Sequence, residues 1–190
     1  VAVHGGNHFA AATYYTLLAV HRGLIGIVMS NAVAHMAPWG SRTPLIANNP
    51  LAIGVPAGNQ MPLVLDIAMS TVARGKIIQA AEEEWQAIPP TWALDEQGQP
   101  MTDPKAAVHG LLRPMGDHKG SGLAVVIGAV CAALTGANFD NGMDLDSPEP
   151  RNTGHLMIAL DPGVFGPVEA FAARVDDWIC TLYGSKMARG

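Results

Sequence analysis

VAVHGGNHFAAATYYTLLAVHRGLIGIVMS, residues 1–30, reads as strand, turn, helix and strand, and that reading decides the fold class. Val1 to His4 has the composition of a strand end, and Gly5-Gly6-Asn7 is a turn. Asn7 stands where a helix N-cap would, Phe9, Thr13, Leu17 and Val20 share one helical face, and Gly23 fits the position just past a helix end. Residues 24–30 are mostly apolar and rich in β-branched side chains, which predicts a buried strand. The Gly-x-Gly-x-x-Gly run that marks a doubly wound dinucleotide fold is missing after this first strand. So is a Gly-x-x-x-x-Gly-Lys-Ser/Thr phosphate loop.

Outward from this unit the pattern stays mixed. Residues 31–49 read as loop, 51–55 and 63–66 as short strands around a Pro56-Ala57-Gly58-Asn59 turn, and 70–84 as a helix. Pro89-Pro90 breaks the chain before a strand at 91–94, and Asp103-Pro104 opens a short helix. Residues 123–134 form the most apolar helix, capped by Gly136; 137–151 are turn-rich and read as a mobile surface loop. A strand at 155–161 and an amphipathic helix at 168–183 follow. No internal repeat appears. The fold class is α/β or α+β, a single domain with a mixed sheet and without a steady βαβ rhythm.

Composition narrows the function. The chain has 190 residues, a net charge of −5 and 14% charged residues, against about 25% in typical soluble domains. Its 49% hydrophobic content excludes intrinsic disorder. The 11 Lys and Arg residues are scattered, which argues against a nucleic-acid partner. Cys131 and Cys180 read as buried thiols of a reducing compartment, and a cytoplasmic location is expected. The strictly apolar run 123–134 is shorter than the roughly 18 residues that span a bilayer. It reads as a buried helix, with no membrane partner. No signal peptide is visible. A start at Val1 and an end inside a helical pattern read as those of a fragment.

Several motifs carry chemistry, each with a plain structural alternative. His8 sits at a strand-to-helix turn, a place that suits a general base near neutral pH; equally, it is a surface histidine in a helix's first turn. His4 and His8 have a metal-like spacing, but Gly5-Gly6 between them opposes the helix such a pair needs, so no metal is expected. Asp117-His118-Lys119-Gly120-Ser121-Gly122, ahead of the apolar helix, is either an anion site of helix-start amides and an ammonium or an ordinary glycine-rich helix start. Asp66 at a strand end either accepts ribose hydroxyls or caps the following helix. Trp39 lines a pocket or seals the core, and Glu82-Glu83-Glu84 is a solvated face.

The order of the motifs is specific. Asn7-His8-Phe9, Met36-Ala37-Pro38-Trp39-Gly40, Asn49-Pro50-Leu51-Ala52, Leu65-Asp66-Ile67-Ala68, Gly75-Lys76, His118-Lys119-Gly120 and Asn152-Thr153-Gly154-His155 occur in one succession. This closely resembles the malate/L-lactate dehydrogenase family, over essentially all 190 residues. The resemblance implies NAD or NADP as cofactor and hydride transfer between nicotinamide and a small 2-hydroxy or 2-oxo acid. It further implies a non-Rossmann cofactor-binding domain with a mixed, largely antiparallel sheet flanked by helices, and a homodimer. His8 aligns with the family's proton acceptor; Asp66, Ile67 and Ala68, together with Lys119, align with residues that contact the dinucleotide. Ala32 stands at a further cofactor position where the family has a serine, so one hydroxyl is lost, a loss the backbone could offset.

Val33, Ser121 and Gly128 also depart from the family pattern, Gly128 standing where an acidic residue is usual. The family's N-terminal Ser-His…Arg cluster and C-terminal tail are expected to be absent, which makes residues 1–190 the cofactor-binding core. An arginine fork is the natural clamp for a substrate carboxylate, and no arginine here matches the family's. The alternative reading is a diverged, non-catalytic member that keeps the fold for dimerisation or ligand binding.

Overall fold

The computed structural model describes residues 1–186. In chain order its elements are β1 (Ala2–Gly6), α1 (Ala12–Val20), β2 (Ile25–Ser30), β3 (Leu51–Val55), β4 (Leu63–Ile67) and α2 (Arg74–Glu82). Then come β5 (Ala93–Leu94), β6 (Pro100–Met101), α3 (Pro104–Ala107), β7 (Leu111–Leu112), α4 (His118–Thr135), β8 (Thr153–Leu160) and α5 (Val168–Tyr183). A five-stranded sheet has the order β1-β8-β2-β3-β4, and a three-stranded sheet the order β6-β5-β7. The β1/β8, β5/β6 and β5/β7 pairs are antiparallel. This is the non-Rossmann mixed α/β class that the motifs imply.

Where composition fits one domain, the chain forms two compact units, each drawn from separated segments. The first comprises Val1–Ala10, Met29–Leu51 and Ile67–Leu156; the second comprises Ala11–Val28, Ala52–Asp66 and the chain from Met157.

The first unit holds the main core. Met36, Met69, Ile77, Ala93, Ala124 and Cys131 are fully or almost fully buried within it. α4 begins at His118, five residues before the predicted start at 123, so the glycine-rich run lies inside the helix and not ahead of it. Two contacts cause this. Asp117, at φ 56°, turns the chain into the helix, and Gly120 packs directly on the backbone of Met115 and Met69, where a Cβ has no room. At 18 residues α4 is long and apolar enough to cross a bilayer by length and composition. Its buried face carries Gly120, Ser121 and Gly128 beside Ala124 and Ile127, while Leu123, Val125, Val126 and Leu134 are exposed. The expectation of a buried helix therefore holds for one face of α4 and is corrected for the other.

Cys131 is buried as expected, and burial pushes its thiol up to about 12. Cys180 is exposed on α5 and corrects the other half of that expectation. The 137–151 segment is turn-rich, but Asp140 within it is buried, so it is not purely a surface loop.

In the second unit α1 lies on glycines. A Cβ at Gly54 would come within 2.6 Å of Val20 Cγ2, and one at Gly26 within 2.7 Å of the Thr16 carbonyl. α1 starts at Ala12, not after Asn7, because Ala10 at φ 65° turns the chain first. The Asp66 carboxylate then accepts from Thr13 N–H (2.8 Å) and Thr13 Oγ1 (2.7 Å) in the helix's first turn. Asp66 thus caps α1; α2, the following helix, begins beyond Ala73 with no side-chain cap. Gly23 (φ 74°) closes α1 as predicted, with Leu24 N–H reaching back to the Ala19 carbonyl. α5 covers the predicted 168–183.

Candidate active site

The β1/β8 register builds the site. Gly6 pairs with Thr153 across the two strands. Two residues beyond Gly6 stands His8, and two residues before Thr153 stands Arg151. Both line a cavity of about 160 Å³ with Asn31, Ala32, Asn48 and Thr153. No acidic residue lines it among the described residues.

His8 is exposed and directed by its own turn. Ala10 N–H donates to His8 Nδ1 at 3.1 Å, so in the neutral ring the hydrogen sits on Nε2. Behind it, Phe9 stacks on His155 with ring centroids 4.5 Å apart. His155 is buried, and its Nδ1 lies 2.8 Å from Ser30 Oγ. Burial holds His155 below the usual histidine range, against a hydrogen bond to the Asn7 backbone that favours the charged ring. Gly6 is a requirement here, since a Cβ at this position would run into the His155 ring.

The floor is an amide network. Asn31 accepts from Gly154 N–H (2.8 Å) and donates to the Asn138 carbonyl (2.8 Å). Ala32 N–H donates to Asn49 Oδ1 (3.1 Å), and Asn49 Nδ2 donates to the Ala124 carbonyl (2.8 Å) and Asp140 Oδ2 (2.7 Å). Asp140 Oδ2 also accepts from Ala47 N–H at 2.8 Å. Burial pushes the Asp140 carboxyl up, against the Asn49 and Ala47 hydrogen bonds. Because the Ala32 amide is already engaged by Asn49, it is not free to replace the missing hydroxyl.

A backbone stair leads from the cavity rim to α4. Met69 N–H donates to the Asn48 carbonyl (2.7 Å), Met115 N–H to the Met69 carbonyl (2.8 Å), and Gly120 N–H to the Met115 carbonyl (2.8 Å). Ile67 and Ala68 precede Met69, and Lys119 precedes Gly120, so the stair ties these three positions to the rim. Of the residues expected from sequence, His8 and Ala32 line the cavity; Ile67, Ala68 and Lys119 do not, and Asp66 belongs to the second unit.

The anion reading of the glycine-rich run needs correction. The amides of Lys119, Gly120 and Ser121 donate to the carbonyls of Gly116, Met115 and Asp117. These amides serve the fold, and the exposed Lys119 ammonium is the group left for an anion. Arg151 and Asn49 were not singled out from sequence for this site. The strand pairing around Asn152-Thr153-Gly154 was the signal that could have placed Arg151.

The mixed sheet and the histidine-bearing cavity define a class of known structure. A malate dehydrogenase from Entamoeba histolytica superposes with a TM-score of 0.92 at 30% identity, covering 100% of this chain and 56% of that one. The chain belongs to the malate/L-lactate dehydrogenase family, whose model matches residues 1–190. An L-sulfolactate dehydrogenase from Methanothermobacter thermautotrophicus is 40% identical over 181 residues, 94% of this chain and 52% of that protein. A (2R)-3-sulfolactate dehydrogenase (NADP(+)) from Chromohalobacter salexigens is 41% identical over 168 residues, 87% of this chain and 50% of that protein. The chain thus spans about half the length of these curated relatives.

Proposed function

We propose that this chain forms the cofactor-binding core of an NAD(P)-dependent oxidoreductase acting on a small 2-hydroxy or 2-oxo acid of the malate, lactate or sulfolactate type. The observation that carries the reading is His8, aimed by the Ala10 amide at a cavity lined by Asn31 and Arg151 and joined through Asn48 and Met69 to the helix that bears Lys119.

The residues present fit a dinucleotide. In the first unit Lys119 offers an exposed cation for a phosphate; Asp66, exposed in the second unit, is assigned to the ribose on the family resemblance alone. Ile67, Ala68 and Ala32 would line its path; Ala32 supplies shape and no hydroxyl. The nicotinamide supplies the hydride chemistry when bound.

The chain's own residues handle the proton. With Ala10 on Nδ1, His8 meets the substrate oxygen through Nε2–H. In reduction this donor holds the carbonyl oxygen and stabilises the charge that develops there. A doubly protonated ring gives its Nε2 proton to that oxygen, but such a ring carries a hydrogen on Nδ1 and cannot accept from Ala10. Proton uptake at His8 is therefore linked to release of the Ala10 contact. In oxidation the Nδ1–H form takes the hydroxyl proton on Nε2. General acid–base help of this kind is worth about two to four powers of ten.

The homodimer and the cytoplasmic location belong to the same reading. The exposed apolar side chains of α4 would serve a second copy.

Fluorescence titration of NADH and NADPH into the chain tests the binding half; the absence of a saturable signal with either would sink it. His8→Gln should then lower turnover of an accepted 2-oxo acid about 100-fold or more while leaving coenzyme affinity unchanged. Equal turnover in the variant would remove His8 from the proton step.

A further inference from the structure

We propose that Arg151 is the anion clamp of the His8 cavity, holding the carboxylate of the 2-oxo acid while His8 Nε2 faces its carbonyl oxygen. The inference rests on the dehydrogenase reading above and adds a residue that the family resemblance does not supply.

Three observations carry it. First, Arg151 lines the cavity with His8, and it is the one lining residue with a fixed formal charge among the described residues. Arg113–Asp117 and Lys105–Glu84 are the ion pairs among the described residues, and neither involves it. Arg151 is half-buried, and a guanidinium unpaired with any carboxylate in a cavity without acidic lining selects an anion.

Second, Asn138 holds the backbone at Arg151 and at the residue after it. Asn138 Nδ2 donates to the Arg151 carbonyl (3.2 Å), and Asn138 N–H donates to the Asn152 carbonyl (3.1 Å). Third, the next residue is locked in a conformation that most side chains avoid. Asn152 sits at φ 52°, and its Oδ1 accepts from Gly5 N–H at 2.6 Å. That bond ties the Arg151 turn to the strand that delivers His8, so the two cavity residues are placed by one piece of local geometry. An arginine wandering on a surface loop needs none of this.

The chemistry suits a 2-oxo acid. A planar guanidinium pairs with a carboxylate through two parallel N–H···O bonds, which fixes the plane of the acid as well as its position. Its carbonyl then lies within the same cavity as His8 Nε2–H, and no carboxylate among the lining residues opposes it.

The test uses oxamate, an unreactive carboxylate analogue, and oxamide, its uncharged counterpart, titrated calorimetrically into the coenzyme-saturated full chain. Coenzyme affinity is measured in parallel for the parent, Arg151→Gln and Arg151→Lys, each with a thermal melt to confirm folding. The clamp predicts unchanged coenzyme affinity, oxamate weakened about 10- to 100-fold in R151Q, partial recovery in R151K, and oxamide unaffected. Equal oxamate affinity in the parent and R151Q, or no oxamate binding in either, overturns the clamp and leaves the dehydrogenase reading standing. A loss of coenzyme affinity in place of oxamate affinity overturns it in favour of a cofactor contact. Failure of the parent to bind either coenzyme removes both readings together.

Discussion

The Asp140 carboxylate occupies the space that a side chain at Gly128 would need: a Cβ there would lie 3.0 Å from Asp140 Oδ2 and 2.9 Å from Asn49 Nδ2. A position where the family usually carries an acid is bare on α4, and an acid from the following segment stands against it. Asp140 holds Asn49, and Asn49 holds the Ala32 amide at the cavity floor. Asp140→Ala strands Ala47 N–H and one of the two Asn49 Nδ2 hydrogens, the other staying on the Ala124 carbonyl, which should cost about 2–4 kcal/mol and loosen the floor. Gly128→Ala overpacks the same point at about 1–3 kcal/mol. Chemical denaturation of both variants checks the magnitudes. Because the two changes act on one contact, the double variant should fall short of their sum; strict additivity would show that the contact does not couple them.

A different buried group governs acid stability. Arg74 donates to His35 Nε2 at 2.8 Å, and burial followed by the Arg74 charge lowers the His35 pKa to about 4. The folded pKa lies below the ordinary 6.5, so the unfolded chain takes up the proton first. Stability from this site is full above the ordinary value and lost as pH falls through the folded one. With allowance for solvent screening, about 1–2 kcal/mol should disappear between neutral pH and pH 4. Arg74→Gln should move the His35 titration upward yet keep it below the ordinary range, because burial is the larger cause. Histidine NMR titration reads this directly, and a His35 titrating at its usual pH in the parent would contradict it.

In the second unit Asp176 closes a loop. Its carboxylate accepts the backbone N–H of Gly58 (3.0 Å), Asn59 (2.7 Å) and Gln60 (3.1 Å). These bonds, that of Asn59 foremost, hold the carboxyl below its ordinary range. The contribution is therefore present above the unfolded value of 3.8 and is lost as pH falls through the folded one. Asp176→Asn replaces an acceptor oxygen with a donor facing donors. Hydrogen exchange at 58–60 should accelerate about tenfold or more in the variant, with amides of the first unit unchanged. Unaltered exchange at 58–60 would show that the loop does not depend on this side chain.

What the sequence made legible follows the range of the forces involved. The β-branched runs at 24–30 and 51–55 and the 3.6-residue pattern at 168–183 are local, and their elements stand within a residue of the predicted bounds. The start of α1 was misplaced because its cap is Asp66, which is 53 positions away. α2 starts four residues after the predicted 70, because Ser70 bridges to Pro114 and its hydroxyl bonds the Val72 carbonyl. His8 and Ala32 were visible as motif positions. Arg151 was not, because a turn-rich segment has no periodicity and its nearness to His8 arises from a strand pairing about 150 residues apart, Gly6 with Thr153.

The two neighbouring glycines of β1 separate backbone strain from damage to the site. Gly5 sits at φ 66° with open space where a Cβ would go, while Gly6 faces the His155 ring. Gly5→Ala should therefore cost about 1–2 kcal/mol from the left-handed backbone alone, with activity near that of the parent. Gly6→Ala must displace His155, and with it the Phe9 ring that stacks on it beside His8. Its stability cost is of similar size, about 1–3 kcal/mol, but turnover should fall at least tenfold for a 1.4 kcal/mol misplacement of the proton donor. Paired melts and kinetic assays on whatever 2-oxo acid the protein accepts distinguish the two. Equal turnover in both variants would mean that the His155–Phe9 stack does not position His8, and that the Ala10 amide alone aims the ring.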